Sequence, residues 1–141
     1  MLEKRNFYIN GKWVAPSKPN DFEVINPSNE EPFAIISLGD IADTNSAVKA
    51  AKEAFQSWKK TSKEERVSLI QKLLKIYKSR WNEMTEAISM EMGAPLDWAS
   101  SAQTASGASH IEDFIKRLKD FEFESNFDNK SDNYIDRKSV V

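Results

Sequence analysis

The sequence contains no cysteine, a single histidine and only four glycines in 141 residues. Without a thiol there is no thiolate nucleophile, no thiolate metal site and no disulfide framework, and thiol usage says nothing of redox compartment. One histidine, His110, excludes a multi-histidine metal site within one chain and would be the only base open to a Ser-His-Asp triad. Gly11, Gly39, Gly93 and Gly107 amount to well under the roughly 7% of average usage. None stands in a G-x-G-x-x-G or G-x-x-x-x-G-K-[ST] arrangement, so no phosphate-cradling loop is written here. Long apolar runs are missing too: none approaches the roughly 20 residues that span a bilayer, and the opening MLEKRNFYIN lacks the apolar stretch of a signal peptide. Neither sign of charge dominates. Lys plus Arg number 20 against 22 Asp plus Glu, for a formal net charge of -2, which gives no attraction to nucleic acid or anionic lipid. Lys59, Lys60 and Lys63 cluster, but Glu64 and Glu65 follow at once, the pattern of a solvated helix end. These absences leave no complete active site in the chain. The expectation is a soluble cytoplasmic protein with neither nucleic-acid nor membrane partners.

What is present changes character near residue 40. Before it, Phe7 to Ile9, the dipeptide Asn10-Gly11 and Lys12 to Val14 predict a hairpin whose turn takes positive φ. Pro16 to Asn20 is a loop. Phe22 to Ile25, a turn at Asn26-Pro27-Ser28-Asn29 and Phe33 to Leu38 predict a second hairpin. From Asp40 the apolar period is about 3.6. Asp40 and Asp43 are placed ahead of a helix with Ala47, Ala51, Ala54, Phe55 and Trp58 on one face. Ser62 and Glu65 have the spacing of a capping box for a second helix carrying Val67, Ile70, Leu73, Leu74, Tyr77 and Trp81. A third carries Trp81, Met84, Ile88 and Met92 and closes at Gly93, with Pro95 enforcing the stop. Leu96 to Asp120 reads as one fourth helix, small-residued from Ala99 to Ser109 and so open to close approach by a backbone or ligand, then apolar at Ile111, Phe114, Ile115 and Leu118. The acidic, polar stretch after Phe121 reads as a surface loop, and Asn133 to Val141 as a strand getting under way. Trp13, Phe55, Trp58, Trp81 and Trp98 are read as a packing face, and Asp40, Asp43 and Asp97 as helix caps rather than paired acid-base carboxylates. So much apolar helix face predicts burial against a sheet the sequence does not supply. The competing expectation is a self-contained α+β domain whose last strand pairs with one of its own hairpins.

The order of these signals resembles the opening of the aldehyde dehydrogenases. Tyr8-Ile9-Asn10-Gly11-Lys12-Trp13-Val14, then Phe22-Glu23-Val24-Ile25-Asn26-Pro27, are similar to that family's first segments. So are Ala47 to Phe55 before Trp58, then Ser62 and Arg66, and the helix end Glu91-Met92-Gly93-Ala94-Pro95. The sequence departs at Ser28-Asn29-Glu30-Glu31, where Glu30 takes the usual glycine place and Asn29 is expected to supply any positive φ. The resemblance implies an α/β fold of the aldehyde dehydrogenase kind, of which residues 1–141 are the N-terminal part: 1–39 hairpins, 40–120 helices packing on the cofactor domain, 121–141 a loop and the start of the oligomerisation strand. It implies oxidation of an aldehyde to a carboxylic acid with NAD or NADP, in a homodimer or homotetramer. The catalytic cysteine, the general base and the cofactor site lie beyond these residues, so no cofactor and no turnover are expected of this chain alone. The resemblance also implies a structural cation held by Glu91 with main-chain carbonyls of Val24 and Ile25, whose oxygens suit a hard ion. It places Ser106, Gly107 and His110 at a substrate tunnel. The alternative function is a non-catalytic helical module that binds another polypeptide through its uncovered helix face and terminal strand.

Overall fold

The computed structural model describes residues 1–126 and 134–136. Two small β units lead into a helical layer. Strands β2 (Phe7–Ile9) and β3 (Lys12–Val14) form the first expected hairpin, in register Phe7 to Val14 and Ile9 to Lys12. Its turn places Asn10 at φ 52° and Gly11 at φ 74°. Both central residues are left-handed, which matches the right-handed twist of the strands they join. The second hairpin pairs β4 (Asp21–Asn26) with β5 (Glu31–Ser37) and is bulged between Val24 and Ile25. In its turn Asn26 Oδ1 accepts from the Ser28 amide and hydroxyl.

This turn corrects one expectation. Glu30, at φ 61°, takes the left-handed position, not Asn29. The Asn29 side chain instead accepts from the Glu31 amide. A strand was also missed. β1 (Leu2–Lys4) pairs in parallel with β5, Leu2 beside Ala34 and Lys4 beside Ile36, giving a three-stranded sheet ordered β1-β5-β4. Its three residues are all exposed and show no alternation, so only the tertiary pairing reveals it.

Helix α1 (Ile41–Trp58) starts at a capping box: Asp40 Oδ1 accepts from the Ala42 and Asp43 amides, and Asp43 accepts from the Asp40 amide. Asp43 is thus the third residue of the helix rather than a residue ahead of it. Ser17 ties the preceding loop to this end, its amide donating to Asp43 and its hydroxyl to Asp40. Helix α2 (Lys63–Ser79) opens with the expected Ser62–Glu65 box, and α3 (Trp81–Met92) closes at Gly93, φ 69°.

The fourth helical run is not one uniform helix. A single turn, α4 (Leu96–Trp98), passes into a π-helical stretch, Ala99–Thr104, and then into α5 (Ala105–Asp120). Side chains of α2 and α3 pin the wide turns. Trp81 donates to Ser100 Oγ at 2.9 Å, Tyr77 donates to the Thr104 carbonyl at 3.0 Å, and the Thr85 and Thr104 hydroxyls lie 3.1 Å apart. π turns of this kind occur as short bulges inside α-helices. Asp97 caps nothing: it lies inside α4, its carboxylate accepts from the next amide, and Pro95 holds the cap position. The small residues Ala99, Thr104 and Ala108 are buried within the chain itself. Val67 of α2 with Ile115 and Leu118 of α5 form the core, joined by Ile70, Leu74, Ile111 and Phe123.

The stretch after Phe121, read as loop, contains strand β6 (Glu124–Asn126), paired antiparallel with β7 (Tyr134–Asp136). The expected last strand is therefore present over those three residues, but its partner is β6 rather than either N-terminal hairpin. The remainder of that expectation, Asn133 and Arg137 to Val141, lies outside the described residues.

Candidate functional site

Among the described residues no three His, Cys, Asp or Glu side chains gather as a metal-binding group. The chain also has no thiol. Three places carry the residues of interest: the end of α3, the outer face of α5, and the open side of α1.

At the end of α3, Glu91 is exposed two residues before Gly93. Gly93 sits against the β4–β5 turn: a Cβ built on it would meet Pro27 Cγ at 3.0 Å. Helix α3 packs along β4, so Glu91 and the strand bearing Val24 and Ile25 belong to neighbouring elements. The bulge falls between those two residues and sets Pro32, which has no N–H to give, opposite Ile25. The strand thus loses one ladder donor where a carbonyl ligand is expected. Glu91 has no hydrogen-bond or ion-pair partner among the described residues, and no distance here defines a closed cation shell.

On α5, Ser106 and His110 are exposed one turn apart, but Gly107 faces the other way. A Cβ on Gly107 would collide with the Tyr77 hydroxyl of α2. The structure therefore brings together two of the three expected tunnel residues, while the third is a packing position. Charge on this face is local. Arg117 hydrogen-bonds Asp113 and holds its carboxyl below the usual carboxylate range, with smaller contributions from Lys116 and His110.

The open side of α1 was only half visible in the sequence. Ala47, Ala50, Ala51 and Ala54 line a groove of about 320 Å³ whose other wall is Tyr8 to Gly11 of the first hairpin. Ala51 and Ala54 continue into a groove of about 470 Å³ with Phe55, Trp58 and Thr61. The alanine spacing announced the helix face; the hairpin wall has no local signature. Elsewhere Leu69, Leu73 and Ile76 of α2 form an exposed apolar stripe, and Trp13 and Trp98 remain 70% and 60% exposed. Of the residues read as a packing face, Phe55 and Trp81 are half-buried, while Trp13, Trp58 and Trp98 stay exposed among the described residues.

The four glycines build no phosphate cradle. Gly11 and Gly93 serve turns, Gly107 is closed by Tyr77, Gly39 lies against Phe7, and none forms a glycine-lined loop at a helix N-terminus.

The model of the aldehyde dehydrogenase family matches residues 13–140, and the chain belongs to that family. It is similar in fold to part of an aldehyde dehydrogenase from Bartonella henselae, with a TM-score of 0.89 and 52% identity over 94% of this chain and 28% of the other. Aldehyde dehydrogenase C of Pseudomonas syringae, solved with NAD+ and octanal, aligns with a TM-score of 0.84 and 35% identity over 88% of this chain and 26% of its own. In sequence, the 3-succinoylsemialdehyde-pyridine dehydrogenase of a Pseudomonas species is 39% identical over 88% of this chain and 26% of that protein. The chain spans about a quarter of the length of these relatives.

Proposed function

We propose that these residues serve as the N-terminal part of an NAD(P)-dependent aldehyde dehydrogenase, cytoplasmic and homodimeric or homotetrameric, that oxidises an aldehyde to a carboxylic acid. The observation that carries the reading is the chain-long fold match to the Bartonella henselae protein at 52% identity. Octanal and NAD+ in the Pseudomonas syringae structure support the substrate class and the cofactor. With no thiol and no nucleotide cradle, this chain does no bond-making; its part is to support. Helices α1 and α2 offer apolar faces on which a cofactor-binding sheet packs. Ser106 and His110 border the substrate path, with Gly107 setting how closely α5 approaches α2. Glu91 with the carbonyls of Val24 and Ile25 contributes to a structural cation. No helix among the described residues is long and apolar enough to cross a membrane.

The test is a chimera in which residues 1–141 replace the matching segment of the Bartonella henselae enzyme. It is expected to oxidise aldehydes with a nicotinamide cofactor, while the 141-residue chain alone does not. Within the chimera, His110→Ala shifts kcat/KM between short and bulky aldehydes, and Glu91→Gln abolishes a rise in Tm on adding potassium or magnesium. A folded chimera without turnover, or turnover by the purified short chain, overturns the reading; unchanged kcat/KM ratios remove His110 from the substrate path.

The uncovered apolar faces favour one second reading, a non-catalytic module that binds another polypeptide. Such a module melts cooperatively as a defined species. An orphaned segment instead binds a hydrophobic dye and aggregates.

A further inference from the structure

Arg66 is the most deeply buried charged side chain among the described residues, 3% exposed, and it faces no carboxylate there. Nε donates to Thr61 Oγ1 at 2.9 Å and Nη2 donates to the Trp58 carbonyl at 3.2 Å. Among the described residues Nη1 is buried with no partner. Two aromatic rings supply what a carboxylate does not: the guanidinium carbon lies 5.3 Å from the ring centroids of both Trp58 and Phe123. Trp58 ends α1, whereas Phe123 belongs to the short segment that leaves α5. That segment has further ties to the same corner. Lys63 Nζ donates to the Phe121 carbonyl at 3.5 Å, and the Phe121 and Phe123 rings meet edge-to-face at 5.1 Å.

We propose that Arg66 is the catch of a strap. The Phe123 ring lies over its guanidinium, holds residues 121–123 on the α1–α2 corner, and so sets the direction in which β6 leaves the helical layer. The inference stands on this geometry and is independent of the proposed activity. The catch is releasable for a physical reason. A cation over a ring is a modest, geometry-dependent attraction, while a buried N–H left unmade carries a desolvation penalty that water removes once the strap lifts. Opening therefore recovers part of what it gives up at Arg66, and α2 and α5 keep their own core of Val67, Ile115 and Leu118 throughout.

Hydrogen–deuterium exchange of the chimera that carries residues 1–141 in the Bartonella henselae enzyme tests this, with residues 121–126 read against α2 and α5. Phe123→Leu keeps an apolar side chain for that core but removes the ring. It is expected to raise exchange in 121–126 by about three- to tenfold and to leave α2 and α5 unchanged. Arg66→Lys keeps the charge but not the planar fork, and produces the same local rise. Wild-type exchange in Phe123→Leu, or a rise shared equally by α2 and α5, overturns the strap. Should Arg66→Lys fail to fold, Phe123→Leu decides alone, because Phe123 sits at the edge of the layer.

Discussion

Glu30 holds φ 61°, a backbone region that costs an L side chain about 1–2 kcal/mol and that glycine enters freely. Its amide donates to the Asn26 carbonyl at 2.8 Å, so the turn dictates the strain and the side chain contributes nothing visible to it. Glu30→Gly relieves the strain but gives the unfolded chain more freedom, leaving a net gain of about 0.5–1 kcal/mol. The expected readout is a Tm higher by about 2–4 °C. A Tm equal to or below that of the parent chain would show that the turn tolerates glutamate at no cost. Asn10-Gly11 makes the contrasting case: the residues that suit an all-left-handed turn are already in place, and the sequence announced it.

Helices show most clearly what was legible. The Ser62–Glu65 capping box and the Gly93 stop were readable because each depends on residues within four positions of one another, whereas at α1 Asp40 was read as a cap but its box partner Asp43 was placed ahead of the helix. The π turns and the buried small residues were not readable, since they arise from α2 and α3 side chains 19 to 27 positions away that fasten Ser100 and Thr104. Composition showed that α5 permits close approach; only packing shows that Tyr77 makes it. This fixes an expectation for Gly107→Ala. The new methyl group displaces the Tyr77 hydroxyl and breaks its bond to Thr104, an overpacking cost of about 1–3 kcal/mol that exceeds the roughly 1 kcal/mol of helix propensity gained. Thermal melting should show a lower Tm, partly restored in Tyr77→Phe/Gly107→Ala. A Gly107→Ala chain as stable as its parent would mean that Tyr77 yields without loss. The same distance effect hid β1 and β6, whose pairing partners, rather than their residues, make them strands.

Over the whole molecule, three exposed carboxyls share one response to acid. Asp40 is held below its ordinary value of 3.8 chiefly by the Asp43 amide and then by the Ser17 hydroxyl. Glu83 is lowered from 4.5 by Arg80, and Asp113 from 3.8 by Arg117. Each depressed pKa makes the unfolded chain the better proton acceptor. The stability involved is complete above the ordinary carboxylate range and is lost as pH falls through and below it. Tm should stay level from about pH 7 to about pH 5 and fall below about pH 4. Asp40→Asn keeps a capping oxygen but cannot titrate, so its fall should be shallower; identical profiles would discount the cap. At this scale the candidate site was legible mainly as an absence. The missing thiol and phosphate loop led to the expectation that the chemistry lies beyond these residues, and what the structure adds is a set of exposed apolar faces. The groove between α1 and the first hairpin escaped notice because it exists only where residues 8–11 meet residues 47–54.

The pairing of β1 with β5 has a practical side. Pairing begins at Leu2, so residues 2–4 form one edge of the three-stranded sheet. A purification tag, fluorophore or tethering handle fused ahead of Met1 departs from that edge, directly beside Glu3 and its ion pair with Arg5. Labelling chemistry that spares the amino terminus leaves the three-stranded sheet as it stands here.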